Sequence, residues 1–233
     1  MQYFNGSQRD GYADYKGSEP ILRAEFRRLL RDLEESGTSS GKLLEIGCAY
    51  GFLLAEAQPK FDTFGFEICA DAVESCRARG LNVECGPAND ASMGSHGPFD
   101  VCIMLDVIEH LEQPHLVFEM IYRHLKPGGR VVISTGDWGS LLARAMGKNW
   151  RLMTPPQHLF FFTQRALTRM LERIGFSVRQ ITRPTKYVPL SLILFQFSRL
   201  VGISPKRIEL PNWMAAPVNL HDALRAVAIR LAP

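Results

Sequence analysis

The feature that most constrains this chain is a glycine turn placed between two apolar runs. The first run, residues 42–46, leads into the turn at 47–51, and a helix-like segment follows. The second run, residues 61–66, ends at Glu67, twenty residues after the first glycine of the turn. This order predicts a strand, a tight turn, a helix and a second parallel strand that ends in a carboxylate. Such a unit forms a nucleoside site at the carboxyl edge of a parallel sheet, where an acid can accept hydrogen bonds from both ribose hydroxyls.

The spacing of the glycines indicates which nucleoside is bound. A dinucleotide site needs G-x-G-x-x-G, because the pyrophosphate lies against bare backbone amides at the start of a helix. Here Ala49 replaces the middle glycine, and Leu53 and Leu54 stand where the third would fall. Residues 45–51 instead resemble the first motif of class I S-adenosylmethionine (SAM) methyltransferases, E/D-x-G-x-G-x-G. Since SAM carries no phosphate, Ala49 is compatible with this turn provided that its φ is negative.

Three later segments extend the resemblance. Residues 98–111, PFDVCIMLDVIEHL, resemble the fourth-strand motif of that family, and residues 125–134, LKPGGRVVIS, resemble its entry into the fifth strand. Residues 219–230 resemble its final strand. In combination these motifs are specific, and the chain is identified as a member of the class I methyltransferases, closest to the type 11/type 23 small-molecule group.

The resemblance implies a three-layer α/β/α Rossmann-like sandwich with a seven-stranded, mostly parallel sheet and an antiparallel last strand. We expect four parts: a cap segment with a helix at 1–40, the SAM-binding core at 41–183, a helical insertion or lid at 184–220, and the last strand at 221–233. Strands are predicted near residues 42–46, 62–66, 82–85, 100–105, 130–135, 176–182 and 223–230.

Length and composition fit a globular α/β domain. The chain has 233 residues, of which 46% are hydrophobic and 22% charged, enough for a substantial core. Its start lacks a basic stretch followed by an apolar block, so no secretory signal is expected. The five cysteines form no C-x-x-C pair, which is typical of reduced thiols in a cytoplasmic protein and not of a disulfide framework or a zinc site.

The net charge of +3 is unevenly distributed. Residues 183–233 carry seven basic and two acidic side chains, a charge of +5, so the preceding part carries −2. A core near neutrality is not expected to bind nucleic acid. The apolar run at 190–201 is too short to span a bilayer, which takes about 20 residues. We expect this run to be a lid over the acceptor pocket, a homodimer contact, a peripheral membrane contact through 190–207, or a helix that covers the core.

The resemblance also implies which residues hold the methionine end of SAM. Asp106 and Val107, just past the fourth strand, would form the floor beneath it. The contacts above that floor, direct or through water, would come from Glu45 and from the backbone of Gly47, Cys48, Ala49 and Gly51.

For the adenosine end, Glu67 would accept hydrogen bonds from the ribose hydroxyls, with Ile68 against the adenine. The alternative for Glu67 is a solvent-exposed acid at a strand end. Members of the family often carry an acid after the third strand that binds the adenine amino group, but this chain has Pro87 there. The substitutes are Asn89, Asp90 or the backbone at Ala88.

Methyl transfer is a displacement in which a lone pair of the acceptor lines up behind the methyl carbon, so positioning comes first. An oxygen acceptor usually loses a proton as well, and histidine is the usual base near neutral pH. His158 is the first candidate, because similar family members carry a histidine in this segment, and His110 is the second. For both, a structural hydrogen bond to a loop carbonyl is the alternative. The other histidines lack ligand spacing, so no metal site is expected.

The sequence therefore predicts a SAM-dependent methyltransferase that acts on a hydroxyl of a small-molecule, glycan or lipid-linked acceptor. One alternative is a nicotinamide-dependent oxidoreductase, which the missing G-x-G-x-x-G disfavours. Another is a catalytically silent protein that binds SAM or only a partner, which the departures at Ala49 and Pro87 would suit.

Overall fold

The computed structural model describes residues 15–190, 193–194 and 214–231. Nine strands are present in this part of the chain: β1 (Gly41–Ile46), β2 (Phe61–Glu67), β3 (Val83–Cys85), β4 (Phe99–Leu105), β5 (Leu125–Gly136), β6 (Phe176–Thr182), β7 (Lys186–Pro189), β8 (Ala215–Val218) and β9 (Ala223–Arg230). The α-helices are α1 (Glu19–Glu35), α2 (Phe52–Ala57), α3 (Ala70–Ala78), α4 (Asp90–His96), α5 (Pro114–His124), α6 (Leu141–Met146) and α7 (Gln164–Ile174), with 3₁₀ turns at Ile108–His110 and Gly147–Asn149.

Seven strands form the main sheet in the order β3-β2-β1-β4-β5-β9-β6. β1 to β5 are mutually parallel, whereas β9 lies antiparallel between β5 and β6. The predicted fold class and all seven predicted strand positions are confirmed. The strand order reverses between β1 and β4, and in open parallel sheets ligands bind beside such a reversal, at the carboxyl ends of the strands.

The sheet is buried on both faces, as β4 shows most clearly. Val101 and Ile103 point into one apolar core, which α1, α2 and α3 cover. Cys102 and Met104 point into a second core on the opposite face, which α4, α5 and α7 cover. Because successive side chains of a strand alternate between faces, a strand with helices on both sides needs an unbroken apolar run.

β5 begins five residues earlier than predicted. Leu125 pairs with Phe99, and the register then shifts so that Arg130 pairs with Val101. The Pro-Gly-Gly segment at 127–129 lies in this irregularity, where proline's missing N–H costs no ladder hydrogen bond.

Helix α1 follows Ser18, has a proline in its first turn and buries a stripe of apolar side chains against the first core. Just before it, the ring of Tyr15 stacks on Phe52 at a centroid distance of 5.7 Å and lies 6.0 Å from the ring of Tyr50. Tyr15 therefore packs against residues at the glycine turn. The preceding residues, 1–14, lie outside the described part of the chain.

The insertion at 184–220, predicted to be helical, has strands at its ends, whereas Leu190, Ile193 and Leu194 are helical. Its two ends form strands, β7 and β8, which pair antiparallel from Lys186 with Val218 to Pro189 with Ala215. We call this two-stranded sheet the strap. The middle of the insertion, with most of the apolar run at 190–201, lies outside the described residues. Among the helices that the structure does describe, none is long and apolar enough to cross a membrane.

Candidate functional site

The glycine turn is attached to the end of β2. The backbone amides of Gly47 and Cys48 both donate to the carbonyl of Phe66, at 2.8 and 3.1 Å, and the amide of Gly51 donates to the carbonyl of Cys48 at 2.8 Å. These bonds close the turn and place it directly beside Glu67, the last residue of β2.

Two of the glycines are required by close packing as well as by backbone conformation. Gly47 has φ +76°, and a Cβ there would lie 2.5 Å from Val107 Cγ2. Gly51 has φ +71°, and its Cβ would lie 2.4 Å from Leu81 Cδ1 and 2.8 Å from Cys76 Sγ. The first contact joins the turn to the loop after β4, and the second joins it to the core beneath α3.

Ala49 does not satisfy the condition expected of it, because its φ is +47° and not negative. A left-handed conformation costs a residue with a Cβ about 1 kcal/mol relative to glycine. Two contacts offset this cost: the amide of Ala49 donates to Glu67 Oε2 at 2.8 Å, and Cys76 Sγ donates to its carbonyl at 3.3 Å.

Glu67 is not the solvent-exposed strand-end acid of the alternative interpretation, since only 5% of it is exposed. Its carboxylate accepts from the amides of Ala49 and Cys69, each at 2.8 Å. These bonds fix the direction of the carboxylate. Because each carboxylate oxygen has two lone pairs, both oxygens retain capacity to accept a further hydrogen bond.

Glu45 lies beneath the turn and is 4% exposed. Burial, with added repulsion from Cys76 and Glu67, raises its pKa well above the ordinary value. Its Oε2 atom has no hydrogen-bond partner among the described residues. A neutral carboxyl group at this position can donate or accept a hydrogen bond, as its predicted contact with the methionine end requires.

The predicted adenine contacts divide into two groups. Ile68 is 58% exposed and follows Glu67 directly, so its side chain presents an apolar surface there. In contrast, Asn89 caps α4 by accepting from the amide of Ser92 at 2.9 Å, and it donates to Glu84 at 2.8 Å.

Asp90 is engaged elsewhere, because it binds Arg123 and His124 of α5 at 2.7 and 2.8 Å. Internal contacts thus account for Asn89 and Asp90 without a ligand. The backbone at Ala88 remains as the predicted contact on that side.

Asp106 projects from the end of β4 in a left-handed conformation, with φ +54°. Ser134 on β5 holds it, because the hydroxyl donates to Asp106 Oδ1 at 2.9 Å and the carbonyl accepts from the Asp106 amide at 3.0 Å. Lys186 of the strap donates to Oδ2 at 2.7 Å. Nearly half of the Asp106 side chain, 48%, is exposed. Burial alone would raise the pKa of Asp106, but Lys186 and Ser134 lower it to about 2.

The two predicted catalytic histidines lie together. The ring centroids of His110 and His158 are 4.7 Å apart. His110 Nδ1 lies 2.9 Å from the carbonyl of Gln157, and His158 Nδ1 lies 2.7 Å from the carbonyl of Leu152. Each ring therefore does make the loop-carbonyl contact of the structural interpretation. That contact also favours the tautomer with the proton on Nδ1, which puts the basic lone pair on Nε2.

Glu109 belongs to the same cluster, and the sequence reasoning missed it. It is 5% exposed, and its Oε2 has no hydrogen-bond partner among the described residues. Burial, with added repulsion from Asp106, raises its pKa to about 7. The sequence feature that could have identified Glu109 is its position next to His110, in the turn that follows the buried strand β4.

One donor atom from each of Glu109, His110 and His158 lies within 4.8 Å of the others, a spacing that a cation can bridge. The expectation of no metal site stays a prediction. Within the described residues, this cluster is where such a site would form.

Aromatic and apolar side chains lie beside the histidines. We call them the aromatic wall, formed by Trp138, Leu159, Phe160 and Phe161. Phe161 lies 6.4 Å from the ring of His158 and 6.2 Å from that of Trp138. Leu159 and Phe160 are 45% and 40% exposed, and both of their amides donate to the carbonyl of Glu109. The loop before α7 is thus bound to the turn after β4 and presents apolar surface to solvent there.

Comparison with known proteins gives a consistent result. A model of the methyltransferase domain family matches residues 19–181, well over half of the chain. A ubiquinone biosynthesis O-methyltransferase of Thiobacillus denitrificans is 28% identical over 166 residues, 65% of this chain and 71% of the relative. The corresponding protein of Methylococcus capsulatus is 33% identical over 138 residues, 56% of this chain and 58% of the relative. The match thus covers 71% of the length of the first relative and 58% of the second.

Solved structures agree in fold. Magnesium protoporphyrin IX methyltransferase from Synechocystis, with bound S-adenosylhomocysteine (SAH), has a TM-score of 0.59 at 16% identity, covering 95% of this chain and 90% of its own. A SAM-dependent methyltransferase from Archaeoglobus fulgidus has a TM-score of 0.60 at 18% identity, covering 91% of this chain and 94% of its own. At such identities the likeness concerns the fold alone.

Proposed function

Because this chain belongs to the methyltransferase domain family, we propose that it transfers the methyl group of SAM to a hydroxyl oxygen of a small, largely apolar acceptor. The observation that carries the proposal is the position of Glu109, His110 and His158. Their segment begins two residues beyond Val107, and Val107 packs against Gly47 of the cofactor turn. A candidate base and the cofactor turn therefore occupy one edge of the sheet.

The residues present fit SAM. Glu67 offers a buried, oriented carboxylate for the ribose, and Ile68 offers an apolar face for the adenine. Glu45 has an oxygen without a partner, and Asp106 is ionised because its pKa is about 2. When bound, SAM supplies a methyl group on a positively charged sulfur, and an acidic site suits a ligand with that charge.

A dinucleotide fits less well. Leu53 and Leu54, which stand at the position of its third glycine, are 1% and 0% exposed and pack in the first core. The start of α2 is thus filled by side chains where a pyrophosphate would need bare backbone. This disfavours the oxidoreductase alternative.

His158 is the proposed general base and His110 the second candidate. The carbonyls of Leu152 and Gln157 hold their Nδ1 atoms, so Nε2 of either ring would take the hydroxyl proton of the acceptor. The buried Glu109 beside them stabilises the imidazolium that forms, since an opposite charge favours a protonated histidine.

The aromatic wall favours an acceptor with apolar surface. Leu159, Phe160 and Phe161 lie next to His158 and would contact such a molecule. The relatives named above as ubiquinone biosynthesis O-methyltransferases support a hydroxyl acceptor. Small phenols, glycans and lipid-linked molecules are all acceptor classes to test.

The remaining proposals concern the surroundings of the protein. The five cysteines are free thiols, which supports a reducing, cytoplasmic location. A homodimer, or a peripheral membrane contact through 190–207, stays a prediction, because most of that segment lies outside the described residues.

The test measures SAH formation with a panel of phenolic, glycan and lipid-linked hydroxyl acceptors. His158→Ala should lower turnover by about 10²–10⁴-fold while the calorimetric affinity for SAH stays within a few-fold of wild type. His115→Ala, on the exposed side of α5, is the matched control and should leave both unchanged. Turnover of His158→Ala within a few-fold of wild type would restrict His158 to a structural role. Wild-type protein that binds neither SAM nor SAH would overturn the proposal itself.

A further inference from the structure

We propose that Lys186 of the strap binds the carboxylate of the methionine part of SAM, while Asp106 binds its ammonium group. The inference rests on the proposed function and adds to it a binding residue outside the family match, which ends at residue 181. Strap residues are absent from the sequence motifs that identify the cofactor site.

The position of the Lys186–Asp106 pair carries the proposal. Lys186 Nζ lies 2.7 Å from Asp106 Oδ2. Asp106 directly follows β4 and precedes Val107, whose Cγ2 would lie 2.5 Å from a Cβ on Gly47. The ion pair is therefore next to the glycine turn, at the carboxyl edge of the sheet. Lys186 and Asp106 remain 33% and 48% exposed, so a ligand can reach both.

The charges match an amino-acid zwitterion. Glu25 of α1 and Arg225 of β9 interact electrostatically with Asp106, as do Arg151 and Glu109. The Lys186–Asp106 pair itself offers one positive and one negative charge. The methionine end of SAM also carries one positive and one negative charge. It can enter between Lys186 and Asp106 with each charge beside its opposite, and Arg225 remains near Asp106 when Lys186 moves to the ligand carboxylate.

Contacts independent of Asp106 hold the strap in place. The amide of Tyr187 donates to Glu25, and the guanidinium of Arg28 lies 4.3 Å from the centre of the Tyr187 ring. At the same end of the strap, Asn219 donates to the carbonyl of Arg183 at 3.0 Å. Since these bonds tie the strap to α1 and to the end of β6, Lys186 can change partner without release of the strap.

The test compares two ligands that share the adenosine and the thioether. SAH has the amino-acid end, whereas 5′-methylthioadenosine lacks it. Lys186→Met should weaken calorimetric binding of SAH by about 10- to 100-fold, the range for loss of one hydrogen bond between charged groups. Binding of 5′-methylthioadenosine should stay within about two-fold of wild type, and Lys186→Arg should retain most of the affinity for SAH.

Two controls make the outcome specific. Lys126→Met removes a lysine whose ion pair with Asp100 has a similar distance, 2.8 Å, away from the carboxyl edge, and it should change neither affinity. Glu67→Gln should weaken both ligands together, because both carry the ribose. If Lys186→Met weakens the two ligands equally, or weakens neither, Lys186 does not bind the carboxylate. If the wild type binds neither ligand, the proposed function fails instead.

Discussion

At the scale of single residues, Glu109 departs clearly from the ordinary chemistry of a carboxyl group. Its carboxyl is buried in the turn after β4, and burial, with repulsion from Asp106, raises its pKa from 4.5 to about 7. His158 and Thr135 act in the opposite direction and limit this rise. Near neutral pH the carboxyl of Glu109 is therefore partly protonated, next to the candidate base.

The raised pKa makes folding stability depend on pH in a defined direction. Between pH 4.5 and 7 the folded state holds the proton of Glu109 and the unfolded state does not, so stability falls as pH rises through this window. Glu109→Gln, which stays neutral, escapes this loss. The free energy of unfolding of Glu109→Gln, relative to wild type, should therefore rise between pH 4 and pH 7.5 by up to about 3 kcal/mol. Urea unfolding at a series of pH values measures it.

Glu112→Gln is the matched control, because Glu112 lies three residues away and is exposed. Its difference from wild type should be constant over the same pH range. A constant difference for Glu109→Gln as well would mean that Glu109 titrates normally in the folded protein.

The sequence predicted residues whose positions follow from the order of elements along the chain. It missed properties that depend on contacts with residues distant in sequence. Glu67 was predictable because the end of a strand that follows a glycine turn lies next to that turn in any βαβ unit. The positive φ of Ala49 was not, since it follows from contacts with Glu67 and Cys76. Glu109 was also missed, because its burial depends on the loop that carries Leu159 and Phe160.

At the scale of elements, the strands of the main sheet were predictable from their apolar runs. β4 is the clearest case, because its alternate residues enter two separate cores. β7 and β8 were not predictable in this way. They are four residues long, they are separated by 25 residues, and they pair mainly with each other. No local period identifies such a pair, since the partner of each strand lies far away in sequence.

Gly51 provides a test of how closely the cofactor turn is packed onto α3. Alanine at this position would have an unfavourable φ of +71° and a Cβ 2.4 Å from Leu81 Cδ1. The backbone term costs about 1 kcal/mol and overpacking about 1–3 kcal/mol more, so Gly51→Ala should lose about 2–4 kcal/mol of unfolding free energy.

Gly80→Ala isolates the backbone contribution to that loss. Gly80 has a similar φ of +75°, but a Cβ there would meet nothing within 4 Å. Gly80→Ala should therefore lose only about 1 kcal/mol of unfolding free energy. Urea unfolding measures the loss for both variants. Equal losses for the two variants would show that the core beside Leu81 yields to an added methyl group.

At the scale of the whole molecule, the strap is added to the methyltransferase fold. The strap lies beyond residue 181, where the match to the family model ends. The sheet brings the glycine turn, Glu67 and Asp106 to one edge because β1, β2 and β4 are parallel neighbours around the reversal in strand order. The strap crosses from α1 to that edge, with Glu25 bonded to Tyr187 and Lys186 bonded to Asp106. Cofactor binding and the order of the strap should therefore be linked.

Amide hydrogen exchange measures that link at two matched positions. The amide of Tyr187 donates to Glu25 in the strap, and the amide of Lys42 donates to Asp100 at 2.7 Å at the start of β1. With SAH and 5′-methylthioadenosine each at about 100 times its own Kd, global unfolding costs about 2.7 kcal/mol more in both cases. The Lys42 amide should therefore respond equally to the two ligands. The Tyr187 amide, which exchanges through local opening of the strap, should be slowed more by SAH, because only SAH has the charges that join Lys186 to the cleft floor. Equal slowing of the Tyr187 amide by the two ligands would show that the strap does not respond to the amino-acid end of the cofactor.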